Sequence, residues 1–260
     1  MAPPDGNVND LDIIYGIHAV REALRAGTRP FLRLRLIRQD RQFEDLIRLA
    51  RSLRIPVHIE PRQALDRLIP DGKHQGVVGV LAARRYASME DILQHARTRS
   101  EPPFIIILDG VEDPHNLGAV LRTAEAAGVH GVFVPARRSA GLTASVAKAS
   151  AGAVEHIRVG CAENLSRLIE ALKKEGLWIY GLDQRADKSY TTLDLQGPLG
   201  LVFGGEGKGI RRGVLDKCDE QVKIPMHGRV ASVNVSAAAA IAIFETARQR
   251  SLQCISPDSL

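Results

Sequence analysis

Three stretches of this 260-residue chain gather side chains able to do chemistry. The first is Leu108-Asp-Gly-Val-Glu-Asp-Pro-His-Asn-Leu-Gly-Ala-Val-Leu-Arg-Thr-Ala124. Asn116 stands where a helix is expected to begin. It reads equally as a cap that satisfies a free backbone N–H and as a polar group held toward a ligand. Arg122 follows six residues later, inside an otherwise apolar helix. Its long stem allows it either to snorkel into solvent or to project along the helix toward the loop. His115 reads as structural or incidental. The second stretch is Val202-Phe-Gly-Gly-Glu-Gly-Lys-Gly-Ile-Arg-Arg212. Its four glycines within six residues let backbone N–H groups approach a ligand closely. Ile210 excludes a Walker A loop, and Arg212 breaks the dinucleotide spacing. Glu206 argues against a plain phosphate cradle; a buried carboxylate there would organise neighbouring donors. The third stretch is Ile224-Pro-Met-His-Gly-Arg-Val-Ala-Ser-Val-Asn-Val-Ser236, opening the last long helix. Ser232, Asn234 and Ser236 each suit a cap, but three of them alternating with Val imply more than one cap. His227 has no metal partner in the sequence, and Arg229 is a surface charge or a phosphate contact.

Positioning these loops takes a particular set of elements. Continuous apolar runs predict strands at 104–108, 131–134, 177–181, 199–203 and 221–224, alternating with helices at 117–127, 143–151, 165–174, 210–217 and 235–250. Such runs suit a mainly parallel sheet covered on both faces, with ligands gathered where the strand ends enter loops. The front of the chain reads as a separate small α/β unit. Ile17, Val20 and Leu24 recur at helical spacing, and Phe31–Ile37 alternates Leu with Arg as a strand with one buried and one basic face. A second helix, a strand at 57–59, a short helix at 64–69 and a closing strand at 76–81 complete it. The expected division is 1–83 for the front domain, 84–103 for a connector with Ser88 capping a short helix, and 104–260 for the rear domain.

Composition narrows the class. At 45% hydrophobic and 25% charged, the chain has the material for packed cores, which excludes a disordered or fibrous protein. The formal charge is +5, and residues 1–100 carry all of it, with 17 basic against 12 acidic side chains. Sixteen of those cations are Arg, whose planar fork suits phosphates, so a nucleic-acid partner is expected at the front. Cys161, Cys218 and Cys254 are scattered, with no metal-ligand spacing, so neither a disulfide framework nor a metal site is expected. No apolar segment suits a secretory signal or a membrane span. A cytoplasmic protein with no membrane partner is expected.

The three loops, in this order and spacing, resemble the SpoU/TrmH family of RNA ribose 2′-O-methyltransferases over about residues 104–250. Asp113–Ala124, Gly204–Gly209 and Ile224–Ser236 match its three motifs, with Val233 where the family usually has Leu. Tyr15–Leu24 and Lys73-His-Gln-Gly76 resemble the family's ribosomal-protein-like substrate-binding domain. The resemblance implies an α/β fold of that RNA-binding domain plus a C-terminal SPOUT domain, its last segment threaded as a trefoil knot. It implies a homodimer acting on 23S rRNA, in the subgroup that methylates a guanosine of the peptidyl-transferase region. S-adenosylmethionine is the implied cofactor, held around Gly204, Gly205, Ile224, Met226, Val233 and Asn234. Asn116, Arg122, Glu206, Ser232 and Asn234 are the implied catalytic residues, with Arg122 activating the 2′-hydroxyl through an RNA phosphate. No metal is required, because a sulfonium carries its own leaving group. The alternatives are a tRNA methyltransferase of the same fold, a non-catalytic RNA-binding protein and a small-molecule methyltransferase.

Overall fold

The computed structural model describes residues 11–69, 73–82 and 85–253, which fall into two compact units. The first takes the described residues up to Arg85 together with Gly141–His156. The second takes Tyr86–Ala140 and the residues from Ile157 onward.

In the first unit the chain runs β1 (Leu11–Tyr15), α1 (Ile17–Ala26), β2 (Phe31–Leu36), α2 (Glu44–Ser52), β3 (Val57–Ile59), α3 (Arg62–Leu68) and β4 (Val77–Ala82). Its sheet has the order β1-β4-β2-β3, with β4 antiparallel to both neighbours and β3 parallel to β2. The Leu/Arg alternation acts as expected in β2, where Leu34 and Leu36 are buried and Arg35 turns outward to Glu60 at 3.2 Å. The segment Lys73–Gly76 is a lock. His74 Nδ1 accepts the Gly76 N–H, leaving the Nε2 proton for Asp66 at 2.9 Å, and Gln75 Oε1 accepts the Ile17 N–H at the start of α1.

Residues 141–156 pack with this unit, although the strand–helix alternation assigned them to the rear domain. Their helix, α6 (Ala144–Ala149), lies against β1. The buried Glu155 carboxylate meets Arg29 at 3.1 Å, and Arg29 also reaches Asp12 at 2.5 Å. A buried guanidinium needs such partners, and one of them comes from 126 residues away.

The second unit holds α4 (Met89–Thr98), β5 (Phe104–Asp109), α5 (Pro114–Ala126), β6 (Gly131–Pro135), β7 (Val159–Ala162), α7 (Leu165–Lys174), β8 (Trp178–Leu182), β9 (Lys188–Ser189), β10 (Leu199–Gly204), α8 (Arg212–Leu215), β11 (Glu220–Lys223) and α9 (Val235–Gln253). Seven strands form one sheet in the order β7-β6-β5-β10-β8-β11-β9, and every ladder in it is parallel. All six residues of β5 are buried. Ile105 and Ile107 face a core shared with Ile92 and Leu93 of α4 and with Leu165, Ile169 and Leu172 of α7. Each such side chain contributes about 1.5–3 kcal/mol on burial. The stretch around α4 is therefore part of this unit's core rather than a solvated connector. Its Ser88/Asp91 capping box starts the helix, and its apolar face fixes where it packs. On another side of the unit α5 and α9 pack together. Strands β5 and β10 are neighbours in register, so that Asp109 lies opposite Gly204. The first two chemically rich loops thus leave the sheet side by side, at one level.

Candidate active site

The floor of the site is built by an acid that sequence inspection did not single out. Asp109, 2% exposed at the end of β5, accepts from the Arg211 backbone N–H and its Nε–H, both at 2.8 Å. Its backbone carbonyl accepts the Gly205 N–H at 2.8 Å. An acidic residue closing a wholly apolar strand was the available signal. This contact draws the glycine loop onto the first loop so tightly that no side chain fits between them. A Cβ on Gly205 would stand 1.9 Å from the Gly110 carbonyl oxygen, and one on Gly204 would stand 2.0 Å from the Gly209 backbone. Gly207 and Gly209 turn the loop through positive φ.

Helix α5 begins at Pro114, earlier than the periodicity implied, with Asp113 as its cap accepting the His115 N–H at 3.0 Å. Asn116 is therefore not the cap. It is buried in the first turn, and its side chain is free for another partner. Asn234 does cap α9, its Oδ1 accepting from Ser236 N at 2.8 Å and Ser236 Oγ at 2.6 Å. That fixes its amide with Nδ2 outward, donating to Glu206 Oε1 at 2.7 Å and to Asn116 Oδ1 at 3.1 Å. Asn116 must then present its own Nδ2, which donates to the same Glu206 oxygen at 2.7 Å. All three loops meet in this closed cluster. Glu206 organises neighbouring donors as expected, but it does so at the surface rather than buried. Its Oε2 has no hydrogen-bond partner among the described residues.

One side of the cluster opens into a cavity of about 590 Å³, in the range of small-molecule sites. Gly204, Gly205, Ile224, Ser232, Val233 and Asn234 line it, joined by Leu182, Phe203 and Ala238, while Met226 is outside the lining. At the rim, Arg185 beside Asp183 holds that carboxyl below the usual carboxylate range. Glycine backbone and apolar side chains share the walls with polar groups, and Glu206 is the lining carboxylate with an oxygen left unpartnered among the described residues. That donor set fits a cationic nucleoside such as S-adenosylmethionine, which Gly204, Gly205, Ile224, Val233 and Asn234 would hold. Arg122 is not brought to either the cluster or this cavity. It is exposed on α5 and has no hydrogen bond or ion pair among the described residues. His115, His227 and Arg229 are likewise exposed.

The chain is similar to known proteins over both of its parts. Residues 103–244 match the SpoU rRNA Methylase family, and residues 13–87 match its RNA 2′-O ribose methyltransferase substrate-binding domain. The chain belongs to the SpoU rRNA methylase family. Among its curated SpoU relatives, YacO of Bacillus subtilis, named as a TrmH family tRNA/rRNA methyltransferase, is 43% identical over 92% of this chain and 96% of its own. The 23S rRNA (guanosine-2′-O-)-methyltransferase RlmB of Pectobacterium atrosepticum is 44% identical over 92% of this chain and 98% of its own. A solved SpoU-type fold, the AdoMet-bound rRNA methyltransferase of Sinorhizobium meliloti, superposes with a TM-score of 0.78 at 25% identity, covering 92% of this chain and 88% of that one. The chain is thus a SpoU-family methyltransferase with a SPOUT-type catalytic fold and a substrate-binding domain in front.

Proposed function

We propose that the protein transfers a methyl group from S-adenosylmethionine to the ribose 2′-hydroxyl of a guanosine in 23S rRNA. The observation that carries this is the Asn116–Glu206–Asn234 cluster at the edge of the larger cavity. When bound there, S-adenosylmethionine supplies an electrophilic methyl on a sulfonium that leaves as a neutral thioether. Gly204, Gly205, Ile224 and Val233 hold it largely through backbone. Glu206, with Oε1 saturated by two amide donors, keeps Oε2 for the incoming hydroxyl, and Asn116 and Asn234 fix that carboxylate. Ser232 is a further donor on the cavity wall. Alignment of this kind supplies most of what a weak oxygen nucleophile needs. Arg122 stays protonated and cannot take the proton itself, so it assists by holding an RNA phosphate beside the hydroxyl.

The position of Arg122 also supports a homodimer. Six helical residues turn it by about 120° from Asn116 and carry it about 9 Å along the axis, so within one chain it faces away from the cluster. On the neighbouring α9, Ile241 and Phe244 are 37% and 52% exposed and form an apolar strip about one turn long. A second copy seated on the α5/α9 face brings an Arg122 to each site. The basic front domain holds the rRNA. No described helix is long and apolar enough to cross a membrane, and no described cluster of His, Cys, Asp and Glu would hold a metal. The test is transfer of labelled methyl from S-adenosylmethionine into unmodified 23S rRNA and, separately, into tRNA. Label in the rRNA is expected. Label in tRNA alone, or in neither despite calorimetric cofactor binding, overturns the proposal.

A further inference from the structure

A second cavity, about 350 Å³, shares Glu206 with the first. Gly205, Glu206, Lys208, Gly209 and Val235 line both cavities, so the cluster stands at their junction. The charged residues lining the smaller one are Asp109, Glu112, Asp113 and Glu206 against Arg137, Arg138, Lys208 and Arg211. Four acids balance four bases, and Asp109 and Arg211 already neutralise each other at 2.7 Å. A neutral cavity does not fit an RNA phosphate. Its remaining walls are the Asn116 amide, Val111, Pro135, Val235 and glycine backbone, whose apolar part suits the faces of a flat heterocycle. At the rim, Glu112, Arg137 and Arg138 are exposed and have no hydrogen bond or ion pair among the described residues. Arg138 is further held at φ 61°, a backbone conformation that costs energy in a non-glycine residue.

An unpaired carboxylate beside unpaired guanidinium groups is complementary to one base in particular. Guanine offers two adjacent N–H donors, N1–H and N2–H, on one edge, and two acceptors, O6 and N7, that an Arg fork bridges. Adenine presents an unprotonated N1 to the carboxylate, and uracil lacks the second donor. Resting on the function proposed above, we infer that this second cavity receives the base of the target nucleotide. Glu112 reads the guanine N1–H/N2–H edge, and the Arg137–Arg138 pair reads O6 and N7. The base then lies on one side of the Asn116–Glu206–Asn234 cluster and the methyl donor on the other, with the ribose between them.

The test uses the full-length protein and 23S rRNA fragments carrying guanosine or inosine at the methylated position; inosine lacks only the 2-amino group. Wild type is expected to favour guanosine by about tenfold or more in kcat/KM, the discrimination one bidentate contact provides. Glu112→Gln should lose most of that preference, while Arg137→Ala/Arg138→Ala should lower transfer to both substrates. Calorimetric affinity for S-adenosylmethionine should stay unchanged in each, because none of the three residues lines the larger cavity. Wild type that ignores the 2-amino group overturns the inference, as does Glu112→Gln that keeps the full guanosine preference. An rRNA fragment never methylated by wild type instead overturns the function on which the inference rests.

Discussion

Substitution of Asn234 separates the structural work of the cluster from its chemical work. The side chain does two things through two atoms. Oδ1 caps α9, and Nδ2 bridges Glu206 and Asn116. Asn234→Ala removes both. A missing cap costs about 1 kcal/mol and the half-exposed bridging bonds about 1 kcal/mol more, so Tm should fall by roughly 4–8 °C. Asn234→Asp keeps the cap, since Asp serves as well as Asn and its charge suits the helix N-terminus. It replaces the amide donor with an oxygen against Glu206 Oε1, where the wild-type separation is 2.7 Å. Two carboxylates about 4 Å apart repel by about 1 kcal/mol in water and about 4 kcal/mol at an effective dielectric of 20; this exposed site is near the lower figure. The aspartate variant need not be destabilised, therefore, but Glu206 is pushed out of position. Misplacement of an aligning group by about 1 Å costs about a hundredfold in rate. The assay is single-turnover methyl transfer at pH 8, alongside thermal melting and calorimetry with S-adenosylmethionine. Asn234→Asp is expected to melt within about 2 °C of wild type and to lose about a hundredfold in rate. The repelling pair also raises a carboxyl pKa, so a shared proton should restore part of the rate as pH falls toward 5. Wild-type rate in Asn234→Asp at pH 8 would refute the role given to the amide bridge.

Other consequences can be checked as readily. Arg122→Ala should abolish methyl transfer and leave cofactor affinity within about twofold, because Arg122 lines neither cavity; full activity in that variant would remove Arg122 from the mechanism. Acid should destabilise the second unit before its carboxylates titrate. Burial pushes the His130 pKa from 6.5 down to about 4, so the unfolded chain binds a proton that the folded one refuses, and stability should fall by about 3 kcal/mol as pH drops through that window. Urea melts between pH 7 and pH 4 measure this, and a flat profile would contradict it. Reversing the exposed charges of Arg48, Arg51 and Arg54 should weaken rRNA binding and shallow its salt dependence by nearly one unit for each phosphate no longer neutralised, with cofactor affinity unchanged. Unaltered rRNA affinity would show that this face of the front domain does not hold the RNA.

The three polar loops and the central strands were legible because their signals are local. β5 is six apolar or strand-closing residues in a row, and the glycine loop can only be a close-approach turn. The position of Asn116 was less legible. Asp113-Pro114 starts the helix a turn early, and only Glu206, 90 residues away, gives Asn116 its use. The place of 141–156 was not legible either. Its helix has ordinary periodicity, and the partner that assigns it to the first unit is Arg29, more than a hundred residues upstream. For the same reason, cutting the chain near residue 85 would strip residues 141–156 of the rest of their unit, Arg29 included, so surface charge reversal is the sounder probe of RNA binding. Arg122 shows the opposite limit. Its residue type and spacing marked it, but one chain alone does not carry it to the cluster.

Mass-spectrometric mapping of the rRNA after reaction tests the assignment most directly. Unmodified 23S rRNA treated with S-adenosylmethionine and the wild-type protein should gain one methyl, on the ribose 2′-oxygen of a single guanosine, and Asn116→Ala should leave that position unmethylated. A methyl on a base, on a nucleotide other than guanosine, or on the same ribose in the Asn116→Ala reaction at wild-type yield would contradict it.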